Sequence, residues 1–339
     1  MKKLVLAALA IGAMAACTKS TVQYEQPGEI SLQPVTQKAT KAAVDGTDYP
    51  TSINFNVWAW WRNRDANTGL DEFIAPDNTD PNDVPIPYIA KGEFEYKSGT
   101  SWGGTTPYYW PTKGSLVFAG YSPANARATN FNYDLEHKKF TVENFIQSNE
   151  IDKTVDLMWF DVTDESYDQN GTDSKGVPVT FKHALSWLTF NFVLDKEITN
   201  HKWEITGVEL QPVHTTANFS ASESWIGHTD TKSSMTIYTK GDEVKYLTTT
   251  SEKYENIDKG VVVIPQECVK LQVNYNLTAS TGQKIQQDVK LDLTAGDDGD
   301  SWLPGKHYVY TVVFGANEIL VSPTVTDWED KIVDNIPVQ

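Results

Sequence analysis

Val269-Lys270-Leu271-Gln272-Val273-Asn274-Tyr275-Asn276-Leu277 places an apolar side chain at every second position and a polar one between each pair. Successive side chains of an extended chain point to opposite faces, so this run is a half-buried β-strand with one dry face and one wet face. The same period recurs in both directions. Toward the C-terminus lie Val289-Lys290-Leu291-Asp292-Leu293 and Tyr308-Val309-Tyr310-Thr311-Val312. Toward the N-terminus lie Val261-Val262-Val263-Ile264, Val208-Glu209-Leu210, Trp203-Glu204-Ile205, Leu188-Thr189-Phe190-Asn191-Phe192-Val193-Leu194 and Val177-Pro178-Val179-Thr180-Phe181. Further upstream, Ile53-Asn54-Phe55-Asn56-Val57 alternates strictly into Trp58-Ala59-Trp60-Trp61, and Leu116-Val117-Phe118-Ala119-Gly120-Tyr121 follows Trp110-Pro111. Only Phe181 to Leu185 hints at a helical turn. Many short strands separated by Gly, Pro and Asp predict an all-β protein made of β-sandwiches.

The N-terminus specifies where the chain goes. Lys2 and Lys3 precede an apolar run from Leu4 to Ala16 that ends in Met14-Ala15-Ala16-Cys17. Thirteen helical residues span about 20 Å, against a hydrocarbon core of about 30 Å, so the run is a signal-peptide core and not a membrane span. Met14-Ala15-Ala16-Cys17 resembles the lipobox of bacterial lipoproteins, with Met where Leu is commoner. The resemblance implies acylation of the Cys17 thiol and anchoring in the outer membrane. Each buried methylene contributes about 0.8 kcal/mol, so several acyl chains hold a protein on a bilayer where one would not.

Composition narrows the function classes. The full chain has 339 residues and a formal charge of -17, which becomes -19 once Lys2 and Lys3 leave with the signal. That balance repels nucleic acid and anionic lipid surfaces. Acylation of Cys17 leaves Cys268 alone, read as a small apolar residue inside a strand, so disulfides do not hold this exported chain together. About 320 residues after the signal exceed one all-β core, and aromatics at 12% suffice for two. Residues 37–46 look like exposed linker, preceded by a weak strand candidate at Ile30, Leu32 and Val35. The turn-rich stretch Asp161 to Gly176 is read as the domain boundary.

At certain residues the chain resembles the fimbrillin family, the lipoprotein-derived pilins of Bacteroidales that build type V pili. The features occur in the family's order: the lipobox and an extended segment ending near Thr40-Lys41-Ala42; Tyr108-Tyr109-Trp110-Pro111 with Leu116 to Pro123; Thr154-Val155-Asp156-Leu157-Met158; and Val179-Thr180-Phe181-Lys182-His183-Ala184-Leu185-Ser186. Val263-Ile264-Pro265-Gln266, Trp302-Leu303-Pro304-Gly305-Lys306-His307-Tyr308 and Val325-Thr326-Asp327-Trp328 complete the series. The resemblance implies two tandem transthyretin-like β-sandwich domains. The chain then divides into a signal peptide at 1–16, a lipidated segment with a removable strand and cleavage linker at 17–50, sandwiches at 51–174 and 175–330, and a donor tail at 331–339.

The resemblance also implies assembly with other pilin subunits by strand exchange. A protease cuts after the first strand, and a neighbour's terminal strand fills the groove left behind. Ile332, Ile336 and Val338 fall on one face of an extended tail and are the candidate donor, with Asp334 interrupting that face and Pro337 restricting it to an edge. No arginine precedes Arg62, so Lys38 or Lys41 is the candidate cleavage site for a trypsin-like enzyme. A chain that is never cut would keep its lipid and act as a pilus anchor.

Two other classes compete. A non-polymerising surface lipoprotein could bind a glycan or another host or bacterial surface ligand through aromatic rows, with Trp58 and Trp60 on one strand face, Trp61 opposite, and Tyr108, Tyr109 and Trp110 extending the platform. An enzyme finds little support in motifs: His-Glu-x-x-His, a phosphate loop and Cys-x-x-Cys are all missing from the sequence, although a carboxylate pair needs no sequence proximity. No cofactor or metal ligand set is expected; His183 reads as structural, and Asp297-Asp298-Gly299-Asp300 as a solvated turn rather than a calcium loop. Mass spectrometry of the mature protein from cell surfaces is expected to give Ala39 or Ala42 as the N-terminus of a processed subunit, whereas acylated Cys17 identifies an anchor.

Overall fold

The structure is a computed structural model that describes residues 28–36, 49–64, 71–73, 87–112, 114–135, 139–166, 176–196, 200–222, 224–229, 232–249, 260–315 and 318–328. The described residues are all-β, with short 3₁₀ turns at Ile151–Lys153 and Gly296–Asp298. In chain order the strands are β1 (Ser31–Thr36), β2 (Phe55–Arg64), β3 (Asp71–Phe73), β4 (Ile89–Ser98), β5 (Ser101–Gly104), β6 (Ser115–Ser122), β7 (Asn130–Asp134), β8 (Lys139–Ile146), β9 (Met158–Ser166) and β10 (Val177–His183). They continue as β11 (Ser186–Leu194), β12 (His201–His214), β13 (Thr216–Ser220), β14 (Ser224–Ile226), β15 (Lys232–Thr239), β16 (Val261–Val263), β17 (Lys270–Ala279), β18 (Lys284–Asp292), β19 (Lys306–Phe314) and β20 (Ile319–Asp327).

The first sheet runs β3-β2-β4-β5-β1-β10-β9-β6, and β6 also pairs with β2. That extra pairing closes a ring of seven strands, β2-β4-β5-β1-β10-β9-β6, with β3 hung on β2. Its interior holds Ile30, Leu32, Phe55, Val57, Phe94, Trp102, Phe118, Phe160 and Phe181. Closing a sheet on itself removes its edges, provided every member stays in place.

A second sheet, β14-β13-β8-β7, covers the outer face of β2 and β6. Trp58 and Trp60 point outward from the ring and are buried beneath it, Trp58 against Tyr121 and Phe140 and Trp60 against Tyr133. β2 is therefore covered on both faces, which is why its sequence is apolar without a break from Val57 to Trp61. The remaining sheets, β16-β11-β19-β20 and β15-β12-β17-β18, pack face to face around Leu188, Phe190, Ile205, Leu210, Leu271, Val273, Tyr308 and Tyr310.

The expected boundary between residues 174 and 175 does not match the strand pairing. β10 completes the ring by pairing with β1 and β9, and β13 pairs with β8. The chain crosses from ring to C-terminal sandwich at Ala184-Leu185, and residues 216–226 return to the N-terminal side. Turn-rich sequence between strands marks a connection within a sheet as readily as one between domains.

The crossing is dry and fully bonded. Ala184 and Leu185 are completely buried. Ala184 N–H donates to Leu157 O at 2.8 Å, Gly305 N–H donates to Leu185 O at 2.8 Å, and Trp225 Nε1–H donates to Ala184 O. Ser186 Oγ donates to Leu303 O at 2.8 Å. The two sequence motifs His-Ala-Leu-Ser and Trp-x-Pro-Gly are thus two halves of one joint. Gln147 adds a second tie, donating to Val155 O at 2.8 Å and Val262 O at 3.1 Å.

One buried charge shapes the acid response. Glu204 on β12 is buried and receives Lys240, Lys284 and Asn276. Burial by itself pushes its carboxyl up, but the hydrogen bonds from Lys240, Asn276 and Lys284 outweigh burial and bring it down to about 2 from 4.5. A carboxyl depressed in the folded state stabilises above its unfolded pKa, and that stability fades as pH falls from 4.5 toward 2. Glu204→Gln is expected to destabilise the protein by about 2 kcal/mol at pH 7. The loss should shrink when urea melts are repeated near pH 2–3.

Candidate functional site

The candidate site is the slot that β1 fills. β1 runs parallel to β10 over Leu32 to Thr36 and antiparallel to β5 over Ser31 and Leu32 alone. Just upstream, Ile30 N–H donates to Tyr108 O at 2.7 Å and Trp110 N–H donates to Gly28 O at 3.1 Å. The Tyr-Tyr-Trp-Pro motif therefore borders the same slot as β5.

Alternate backbone N–H groups of a strand point to the same side. Ile30 faces Tyr108, so Leu32 and Pro34 face that side as well. β5 has already ended in its turn to β4 at the level of Pro34, so proline's missing donor breaks no ladder bond there. Ile30, Leu32, Pro34 and Thr36 are the buried positions. Val35, expected among them, lies on the opposite face because strict alternation gives its place to Pro34.

The slot is lined closely. A Cβ at Gly104 would meet Thr106 O at 2.3 Å and the Tyr108 ring at 2.7 Å, and one at Gly176, where φ is +87°, would meet Ser31 backbone at 2.9 Å. Tyr49 and Trp102 form its floor, edge to face at 5.6 Å. Burying Ile30 and Leu32 contributes roughly 1.5–3 kcal/mol each. Among the described residues, two polar atoms in the filled slot have no partner: Trp102 Nε1 and Thr36 Oγ1. A buried polar group left unpaired costs about 1–3 kcal/mol.

A second feature stands at the other end of the chain. Trp328 closes β20 and is buried, its N–H donating to Gly305 O at 2.8 Å. Its indole stacks on His183 with centroids 4.0 Å apart and planes at 8°, and lies 5.8 Å from Trp187. Trp187 in turn stacks on His307 at 3.7 Å. His183 has a buried partner that spacing did not reveal, Asp156, whose Oδ1 lies 3.0 Å from Nδ1. The two stand 27 residues apart and meet because β9 and the segment before it lie beside β10.

The other predicted residues are placed as follows. Trp58 and Trp60, offered as ligand-facing aromatics, are core residues at 7% and 3% exposure, because the second sheet covers that face of β2. Tyr109 is half exposed, but Trp110 is buried. Cys268 lies between β16 and β17 rather than inside a strand, and burial pushes its thiol up to about 11, leaving it unreactive. Asp298 accepts a hydrogen bond from Tyr308 Oη at 3.0 Å, a structural use of the acidic turn. Among the described residues no group of three or more His, Cys, Asp and Glu side chains is arranged to hold a metal ion. Cys17, Lys38, Lys41, Ile332, Ile336 and Val338 lie outside the described residues.

No curated protein matches the chain. Among solved structures, a fimbrial protein from Bacteroides vulgatus has a TM-score of 0.54 at 16% identity, covering 88% of this chain and 99% of its own. A candidate cell adhesion protein from Bacteroides uniformis has a TM-score of 0.49 at 15% identity, with coverages of 88% and 99%. The C-terminally truncated tip fimbrial protein Mfa3 of Porphyromonas gingivalis has a TM-score of 0.37 at 13% identity, with coverages of 89% and 100%. A family model described as fimbrillin-like matches residues 35–328, from inside β1 to Trp328. The chain belongs to the fimbrillin-like family.

Proposed function

We propose that this protein is a structural subunit of a cell-surface pilus, exported as a lipoprotein and assembled by protease-triggered strand exchange for adhesion or biofilm formation. Family membership points to a structural role, not a catalytic one. The observation that carries the mechanism is the position of β1, a separate N-terminal strand that alone bridges β5 and β10. Cleavage at Lys38 or Lys41, a few residues beyond Thr36, would leave β1 held without a covalent link to the ring. Its departure would open the ring and expose unpaired N–H and C=O groups beside an apolar floor. Such an edge is unfavourable alone and strongly favourable once another strand is added. The tail at 331–339 of a neighbouring subunit, through Ile332, Ile336 and Val338, is the proposed replacement, so folding energy becomes assembly energy.

One sequence fact favours a second reading. The absence of arginine before Arg62 removes the site used by an arginine-specific protease. A chain that escapes cleavage would retain acylated Cys17 and serve as the outer-membrane anchor of the filament. In that case β1 keeps its slot filled, and the chain can only donate its C-terminal tail.

Limited trypsin treatment of the full chain tests the first reading, with electron microscopy and native gels as readouts. Cleaved protein is expected to form filaments, and a Lys38→Gln, Lys41→Gln double variant is expected to stay monomeric under the same treatment. A chain ending at Asp330 should be cut normally yet fail to elongate. Normal polymerisation of that shortened chain would exclude the tail as donor.

A further inference from the structure

β1 fills its slot imperfectly. Trp102 is completely buried, yet among the described residues its indole N–H meets no acceptor, and the Thr36 hydroxyl further along the strand is also buried without a partner there. Trp102 stands opposite Leu32 across the antiparallel pair, and both side chains enter the same core. Directly opposed residues are the nearest side-chain neighbours across a sheet. Leucine offers an indole N–H nothing to bond.

The end of the chain carries a complementary pattern. In an extended segment residues 332, 334, 336 and 338 share one face. They read Ile, Asp, Ile and Val, against Ile30, Leu32, Pro34 and Thr36 on the buried face of β1. With Ile332 laid on Ile30, Asp334 falls on Leu32, Ile336 on Pro34 and Val338 on Thr36. Asp334, the residue that interrupts the apolar face, then stands opposite Trp102, while Val338 replaces the unpaired hydroxyl with a methyl group.

We propose that the tail of a second copy of this chain enters the slot in the direction of β1, in this register, with the Asp334 carboxyl accepting a hydrogen bond from Trp102 Nε1. The proposal rests on the donor reading above and deepens it by naming the partner and the residue pair that sets the register. Burial disfavours the ionised form of a carboxyl, so Asp334 enters this dry position as the neutral acid and accepts through its carbonyl oxygen. Pro337 falls where Val35 faces β10 and forgoes one bond of that ladder. The exchange thereby gives Trp102 Nε1 an acceptor and removes the buried Thr36 hydroxyl, while it forgoes one backbone donor and brings in the Asp334 O–H. A one-residue slip would turn Asp334 away from Trp102 and put Val333, Asn335 and Pro337 on the buried face, so the pair also discriminates against the wrong alignment.

The test is capture of synthetic peptides spanning residues 329–339 by the full chain after limited trypsin cleavage, read by fluorescence anisotropy. On wild-type protein the Asp334→Leu peptide is expected to bind about tenfold more weakly than the native sequence, and the Asp334→Asn peptide at least as tightly. On a Trp102→Phe variant, shown by thermal melting to be folded, the Asp334→Leu deficit should disappear. Equal capture of the native and Asp334→Leu peptides by wild-type protein overturns the pair while leaving the tail as donor. An unchanged deficit on Trp102→Phe overturns it as well. Failure to capture any of the peptides overturns the donor reading and the pair together. Should Trp102→Phe not fold, the ranking of the three peptides on wild-type protein decides the matter.

Discussion

The insertion of one short strand between β5 and β10 is the contact on which the N-terminal half depends. With β1 in place, seven strands close on one another and none of them shows an edge inside the ring. Without it, β5 and β10 become edges beside a core that contains Trp102, Phe94 and Phe181. β1 is also held by short pairings. It pairs over five residues on one side and two on the other, whereas β11 and β19 pair over eight and β19 and β20 over nine. A proline sits in its middle where no neighbour asks for a donor.

The rest of the molecule packs against the ring that holds that slot. The second sheet draws its strands from residues 130–146 and 216–226, so segments far apart in sequence cover the outer face of β2. The joint at Ala184-Leu185 is buried and bonded on both sides, and Gln147 bridges it a second time. β10 lies at the centre of this arrangement. Its edge carries β1, and its last residue, His183, carries Trp328, from which the tail departs. The groove and the root of the proposed donor are thus attached to the same strand.

Much of this was legible beforehand. The alternation in β11, β17 and β19 placed their buried faces correctly because each of these strands has one packed and one solvated side. Ile30 and Leu32 were recognised as a strand for the same reason. The failures have a common cause. Trp58 and Trp60 looked like candidates for an exposed platform because alternation cannot distinguish an outer face from one covered by another sheet. Asp161 to Gly176 looked like a boundary because turn residues mark any reversal of the chain. Asp156 was not connected to His183 because the partner arrives through strand pairing and not through spacing.

The sequence by itself determined the all-β class, the run of strands and the family, since these follow from a two-residue period and from local motifs that any extended chain would display. Only the tertiary structure decided that the first strand lies inside a closed ring, that the tryptophans of β2 are covered, and that Trp102 keeps an unpaired N–H opposite Leu32. Those facts depend on which strands become neighbours. Neighbourhood in a sheet is set by the summed burial of many distant side chains, a quantity that no single stretch of sequence contains.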